Sequence, residues 1–160
     1  MRRKPGKHTP YFELIDAQSQ AGCPICRLVH RATDRYLDSL LYEAVLDPDV
    51  RAKLKASRGF CAEHVEMLKR KPGRALGIAL IYRDILRTIY ETAGKGRFEK
   101  SLLPFRRLLG KSGGSLATTA KLGAGQPCPA CAIADKAERA SVELLLAHLK
   151  DDKLYEAYSE

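Results

Sequence analysis

Three cysteines and a histidine limit what this chain can fold into more than any other feature. Cys23-Pro24-Ile25-Cys26 opens a stretch that closes with Gly59-Phe60-Cys61-Ala62-Glu63-His64. A C-x-x-C box followed by a C-x-x-H box is the ligand set of a closed tetrahedral metal site. Two thiolates two residues apart on a turn can both point at one ion. Cys61 and His64 are three apart, so a first helical turn puts them on the same face. The 34 residues between the boxes are too many for a classical zinc-finger loop. They read as two helices that bring the half-sites together.

The opening box recurs. Cys128-Pro129-Ala130-Cys131 repeats it at an offset of 105, at which Leu40-Leu41 falls on Leu145-Leu146. With one residue deleted, Asp47, Val50 and Leu54 fall on Asp151, Leu154 and Tyr158. The second copy stops at Glu160, opposite Ala56, before a counterpart of Cys61. Cys128 and Cys131 are therefore expected to be an incomplete second metal site in an incomplete second copy, the alternative being that they serve another purpose.

In this double pattern the chain resembles an uncharacterised prokaryotic family of unknown function with C-P-x-C and G-[FL]-C-x-x-H boxes in two tandem copies. Cys23, Cys26, Cys61 and His64 match the first copy, and Cys128 and Cys131 match the start of the second. The segment Tyr36-Leu37-Asp38-Ser39-Leu40-Leu41-Tyr42-Glu43 is also similar. The resemblance implies a ligand set and a helical fold, and it implies no reaction.

The chain has 160 residues and a net charge of +9, which is unevenly placed. Residues 1–126 hold 24 basic and 12 acidic side chains, whereas residues 127–160 hold 4 and 7. A basic body attracts nucleic acid or an anionic surface by neutralising phosphates. It is also the ordinary solvated surface of a basic protein. The basic start, Met1-Arg2-Arg3-Lys4, is not followed by the apolar run of a secretory signal. The longest nearly apolar run, Ala75–Tyr82, falls far short of the ~20 residues of a membrane span. Five cysteines grouped in metal-ligand spacings indicate a reducing compartment, and the cytoplasm is expected.

The pattern along the chain is all-α. Residues 1–8 read as a disordered basic arm, residues 9–110 as a helical metal-binding domain, 111–126 as a flexible Gly-rich linker, and 127–160 as the incomplete helical repeat. Thr9 is an expected N-cap with Pro10 behind it. A helix from Pro24 carries Leu28, Tyr36, Leu37, Leu40, Leu41 and Val45 as its stripe, with an irregularity at Arg31–Asp34. Asp47 caps the next helix, Ser57-Arg58-Gly59 breaks it, and Cys61 starts another. Arg74–Ala93 reads as a central helix with a wide apolar face: Leu76, Ile78, Ala79, Ile81, Tyr82, Ile85, Leu86, Ile89 and Tyr90. Phe98–Leu109 reads as a basic amphipathic segment bent at Pro104. The repeat helix has Val142, Leu145, Leu146 and Leu149 as its stripe, expected to dock on the body or to self-associate.

Zinc suits a thiolate and imidazole set, with an iron–sulfur cluster on the same ligands as the alternative. Four protein ligands leave no position for substrate water, which argues against metal catalysis. A thiol–disulfide protein using C-P-x-C is a second class, although no strand precedes the box here. A zinc-stabilised nucleic-acid binder is a third. Its candidate contacts are Arg51, Lys55, Arg58, Lys69, Arg70 and Lys71, with Arg2, Arg3, Lys4, Lys7, Lys53 and Arg74 beside them. No groove-reading motif accompanies these residues. His30, four after Cys26, reads as a surface histidine, and His8 and His148 have no partner at ligand spacing. No nucleophile elbow, phosphate loop or paired carboxylates are present, so no enzyme class is supported. The expected role is a metal-binding helical module that binds or scaffolds, with nucleic acid or a protein as its partner.

Overall fold

The structure is a computed structural model that describes residues 8–97 and 125–159. Among these the regular structure is helical, with no strand, in agreement with the all-α reading. The helices are α1 (Thr9–Gln18), α2 (Pro24–Glu43), α3 (Pro48–Ala56), α4 (Ala62–Lys69), α5 (Ala75–Arg97), α6 (Pro129–Ala147) and α7 (Asp152–Ser159). The expected arm through Lys7, the segment Phe98–Leu109 and the linker as far as Ala124 lie outside the described residues. The chain divides into two compact units. One is drawn from Met1–Leu40 and Ala130–Glu160, the other from Leu41–Pro129.

The first unit is built on α1. Tyr11, Leu14 and Ala17 recur every three residues and are wholly buried. Leu28 of α2, Leu144 of α6 and Leu154 of α7 complete that core. The N-cap of α1 is His8 rather than Thr9, with no side-chain cap bond, so Pro10 sits one place deeper in the first turn. The far end of α1 is closed by Arg27, whose guanidinium donates to the carbonyl oxygens of Ala17 and Ala21, each at 2.6 Å. The irregularity expected in α2 does not break the helix. Thr33 occupies an inward position and satisfies its hydroxyl on the carbonyl of Val29 at 2.9 Å. A polar residue on an apolar stripe is tolerated when its hydrogen bond is made locally.

The stripe expected on α6 is corrected. Leu144, which the stripe did not include, is buried and Leu145 packs against the same core, while Val142, Leu146 and Leu149 are exposed. Positions 142, 145, 146 and 149 do share one helical face, but the core that includes Tyr11, Leu14 and Ala17 takes in Leu144, one position round the helix, with Leu145 packed at its edge.

In the second unit α3 packs on α5. Leu54, Leu68, Ile81 and Ile85 are buried there. The face of α5 is narrower than its sequence suggests. Ile81 and Ile85, one turn apart, point inward, while Leu76, Leu86 and Tyr90 are more than 60% exposed. Asp47 caps α3 as expected, accepting from the backbone N–H groups of Asp49 and Val50 at 2.8 and 2.9 Å.

The end of α3 is a Schellman motif. Gly59 N–H donates to Leu54 O at 2.8 Å and Arg58 N–H to Lys55 O at 3.2 Å. Arg58 occupies the left-handed position with φ 58°, where glycine is the usual residue. Arg58→Gly is expected to raise stability by about 1 kcal/mol, because a left-handed L-residue costs roughly that much. Leu54→Ala is expected to lower it by about 2–5 kcal/mol. Urea unfolding of both variants measures this, and a destabilised Arg58→Gly protein would contradict the account of the turn.

Candidate metal centre

Each cysteine box is built the same way, with one donor just before a helix and the second three residues on. Cys61 is the N-cap of α4 in extended conformation, and His64 lies in the first turn. Cys128 immediately precedes α6, with Pro129 first and Cys131 third. At this spacing two side chains lie on one side of the first turn, the arrangement that capping boxes use. Free N–H groups and the positive end of the helix dipole favour thiolates there.

Two of the pairs meet. The ligand atoms of Cys61, His64, Cys128 and Cys131 all lie within 4.8 Å of one another. The Cys61 sulfur is 2.9 Å from His64 Nδ1, and the Cys128 sulfur is 3.7 Å from it. A tetrahedral zinc ion with ordinary bond lengths separates sulfur from nitrogen by about 3.6 Å and sulfur from sulfur by about 3.8 Å. The four donors are therefore close to the spacing one ion requires. His64 is buried and the three cysteines are partly buried.

The end of α3 organises this approach. Its Schellman turn aims the chain at Phe60 and Cys61. Ala56, its last residue, accepts a hydrogen bond from Gln126 N–H at 3.0 Å, two residues before Cys128. Gly125 lies so close that an added Cβ would stand 3.0 Å from the Ala56 carbonyl oxygen. The last two residues of the expected linker are thus clamped against α3. Tyr82 flanks the centre from α5, and its ring packs on Gly59. Burial raises the Tyr82 pKa, and the adjacent Cys128 and Cys61 act in the same direction.

The expected quartet of Cys23, Cys26, Cys61 and His64 is thus regrouped. Cys61 and His64 are gathered with Cys128 and Cys131, and Cys23 and Cys26 stand outside the group, both exposed. The pairing nearest in sequence is not the one the fold makes. Nothing in the spacing alone selects between two identical C-P-x-C boxes. Cys26 N–H donates to the Cys23 sulfur at 3.4 Å. That bond, with the Cys26 thiol beside it, lowers the Cys23 pKa, and the same thiol contact raises that of Cys26.

Comparison with known proteins identifies a family and assigns it no function. The model of a family of unknown function, DUF6062, matches residues 10–112. The chain belongs to that family. The match takes in Cys61 and His64 and ends before Cys128. This DUF6062 member is also similar to an uncharacterized 23.9 kDa protein in the xynA 3′ region of Caldicellulosiruptor sp. (strain Rt8B.4). The two are 35% identical over 75 residues, which is 47% of this chain and 36% of that protein. The chain thus spans about a third of that relative's length. No solved structure matches.

Several basic residues named as nucleic-acid contacts are engaged within the fold of this DUF6062 chain. Arg51 donates to Val45 O at 2.8 Å and lies 3.4 Å from Asp84, while Lys55 is 2.9 Å from the same carboxylate. Lys69 pairs with Glu66 at 2.8 Å. Arg74 stacks over Tyr42, 5.2 Å from the ring centre. No helix among the described residues is long and apolar enough to cross a membrane.

Two outcomes follow from this geometry. The hydrogen bond from Lys55 holds Asp84 below the usual carboxylate range. A depressed carboxylate contributes stability above its unfolded pKa of about 3.9 and loses it as the pH falls further. The stability difference between native protein and Asp84→Asn is therefore expected to be present at neutral pH and to close below about pH 4. Denaturant midpoints across pH measure it, and a pH-independent gap would refute the ion pair. Gly125→Val is expected to weaken metal affinity by about ten-fold or more, because displaced supports misplace ligands. Competition with a chromophoric chelator measures that change.

Proposed function

We propose that the chain is a helical binding or scaffolding module stabilised by one structural zinc ion on Cys61, His64, Cys128 and Cys131. The observation that carries the reading is the span of 4.8 Å that encloses four soft donors drawn from two helix starts. Zinc suits three thiolates and an imidazole and imposes no other geometry. An iron–sulfur cluster is less well served, since it interposes several iron and sulfide atoms between its ligands and so narrow a span leaves no room for them. A closed set offers no open position for substrate, which favours a structural over a catalytic ion. The binding role is supported by exposed apolar side chains, among them Tyr42, Leu46, Leu76 and Tyr90. The proposed location is the cytoplasm, where thiols stay reduced.

We also retain the tandem repeat as part of this reading. Both C-P-x-C boxes start long helices, of 20 and 19 residues, and each is followed by a shorter one of 9 and 8 residues. Asp47 and Asp151 occupy matching places, each accepting from a backbone N–H two residues on.

Elemental analysis of natively purified protein is expected to find zinc at one ion per chain in this centre. Cys61→Ser and Cys128→Ser are each expected to lose that ion and to lower Tm by about 10 °C or more, because metal binding contributes directly to folding. Cys23→Ser is expected to keep both. Retention of the ion by Cys128→Ser, or its loss with no change in Tm, would overturn the structural-zinc reading.

A further inference from the structure

We propose that Cys23 and Cys26 form half of a second metal site, which a second copy of this chain completes with its own Cys23 and Cys26 around one zinc ion. The idea rests on the zinc reading only in treating the Cys128 box as a ligand pair. The two boxes share the sequence C-P-x-C and the same place at a helix start, with Cys just before the helix, Pro first and Cys third. In one of them both sulfurs stand in a four-donor group. In the other both are exposed, and the first already accepts the N–H of the second at 3.4 Å. The two thiols also lie in side-chain contact with each other.

No third donor joins Cys23 and Cys26 among the described residues. His30, one turn beyond Cys26 on α2, is not gathered with them into a donor group. Two thiolates leave two positions of a tetrahedron open. A two-fold axis through the ion fills them with the identical pair, the simplest closed symmetry for a homo-oligomer. Among the described residues, Ser19, Gln20, Ala21 and Gly22 beside the box are exposed, and the charge of Glu138 acts on Cys26. Four thiolates around a divalent ion carry a net charge of about −2, since binding releases the thiol protons. The Arg27 guanidinium, tethered to Ala17 and Ala21 in each copy, supplies compensating charge next to Cys23.

The test uses the full chain, reduced and metal-free, titrated with zinc sulfate and followed by native mass spectrometry and sedimentation velocity. The first ion per chain is expected to bind to the monomer without changing the oligomeric state. Further zinc is expected to double the mass and to add one ion per two chains. A stronger chelator should remove that ion first. Cys23→Ser and Cys26→Ser are expected to stay monomeric, while keeping the first ion and the native Tm. Three results would each overturn the bridge: a monomer at every zinc concentration, a dimer that survives Cys23→Ser, or a Cys23–Cys26 disulfide that excludes zinc in reducing buffer. Failure of the structural-zinc reading looks different, since the first ion would be missing while zinc-dependent dimerisation persisted.

Discussion

The convergence of donors at helix starts is the constraint from which the rest of the candidate centre follows. A cysteine just before a helix and a donor three residues later are brought together by the geometry of a single turn. Little long-range structure is needed to form such a half-site, so the sequence can carry several of them. Joining two half-sites is a different matter, because it requires two helix ends to be held face to face. Their like-signed dipole ends repel unless something negative lies between them. Thiolates would provide that negative charge, and a divalent cation among them would offset their mutual repulsion.

The holding is done by α3. Its N-terminus is fixed by Asp47, its side by the packing on α5 and by the pairing of Arg51 and Lys55 with Asp84. Its C-terminus then does two jobs. The Schellman turn commits the chain direction into Cys61, and the Ala56 carbonyl receives Gln126 on the way to Cys128. A left-handed arginine in that turn is a local cost, and it occurs where chain direction decides whether the donors meet.

What was legible in the sequence is what short-range physics determines. The all-α architecture, the Asp47 cap, the break at Ser57–Gly59 and the shared face of Cys61 and His64 all depend on neighbours within a turn or two. The partner of Cys61 and His64 depends on the path of the chain over the 64 residues that separate His64 from Cys128, and identical boxes at Cys23 and Cys128 compete for it. Assigning the nearer box amounts to assuming that short loops close first, which loop entropy favours only weakly. The wide faces expected for α5 and α6 failed for a related reason. Periodicity tells how many apolar residues a helix carries, but only its neighbours decide which of them are covered, as Leu144 and Ile85 are and Leu146 and Leu86 are not. The irregular stretch Arg31–Asp34 stays helical, with the buried Thr33 hydroxyl satisfied within the helix.

A centre of this kind also bears on what the chain can do. In the structural-zinc reading proposed above, an ion enclosed by three thiolates and an imidazole would have no vacant position through which to polarise a substrate, and its contribution would lie in holding helix ends. The part of the surface left for recognition is then the apolar and basic residues that the fold does not use itself. Arg51, Lys55 and Lys69 are largely committed to carboxylates, which lowers the charge they present to a phosphate backbone. Tyr42, Leu46, Leu76 and Tyr90 lie in a single unit and remain exposed. Covering aromatic and leucine side chains releases more free energy than re-pairing screened surface charges. The balance of these two inventories therefore favours a protein partner over nucleic acid for the proposed binding role.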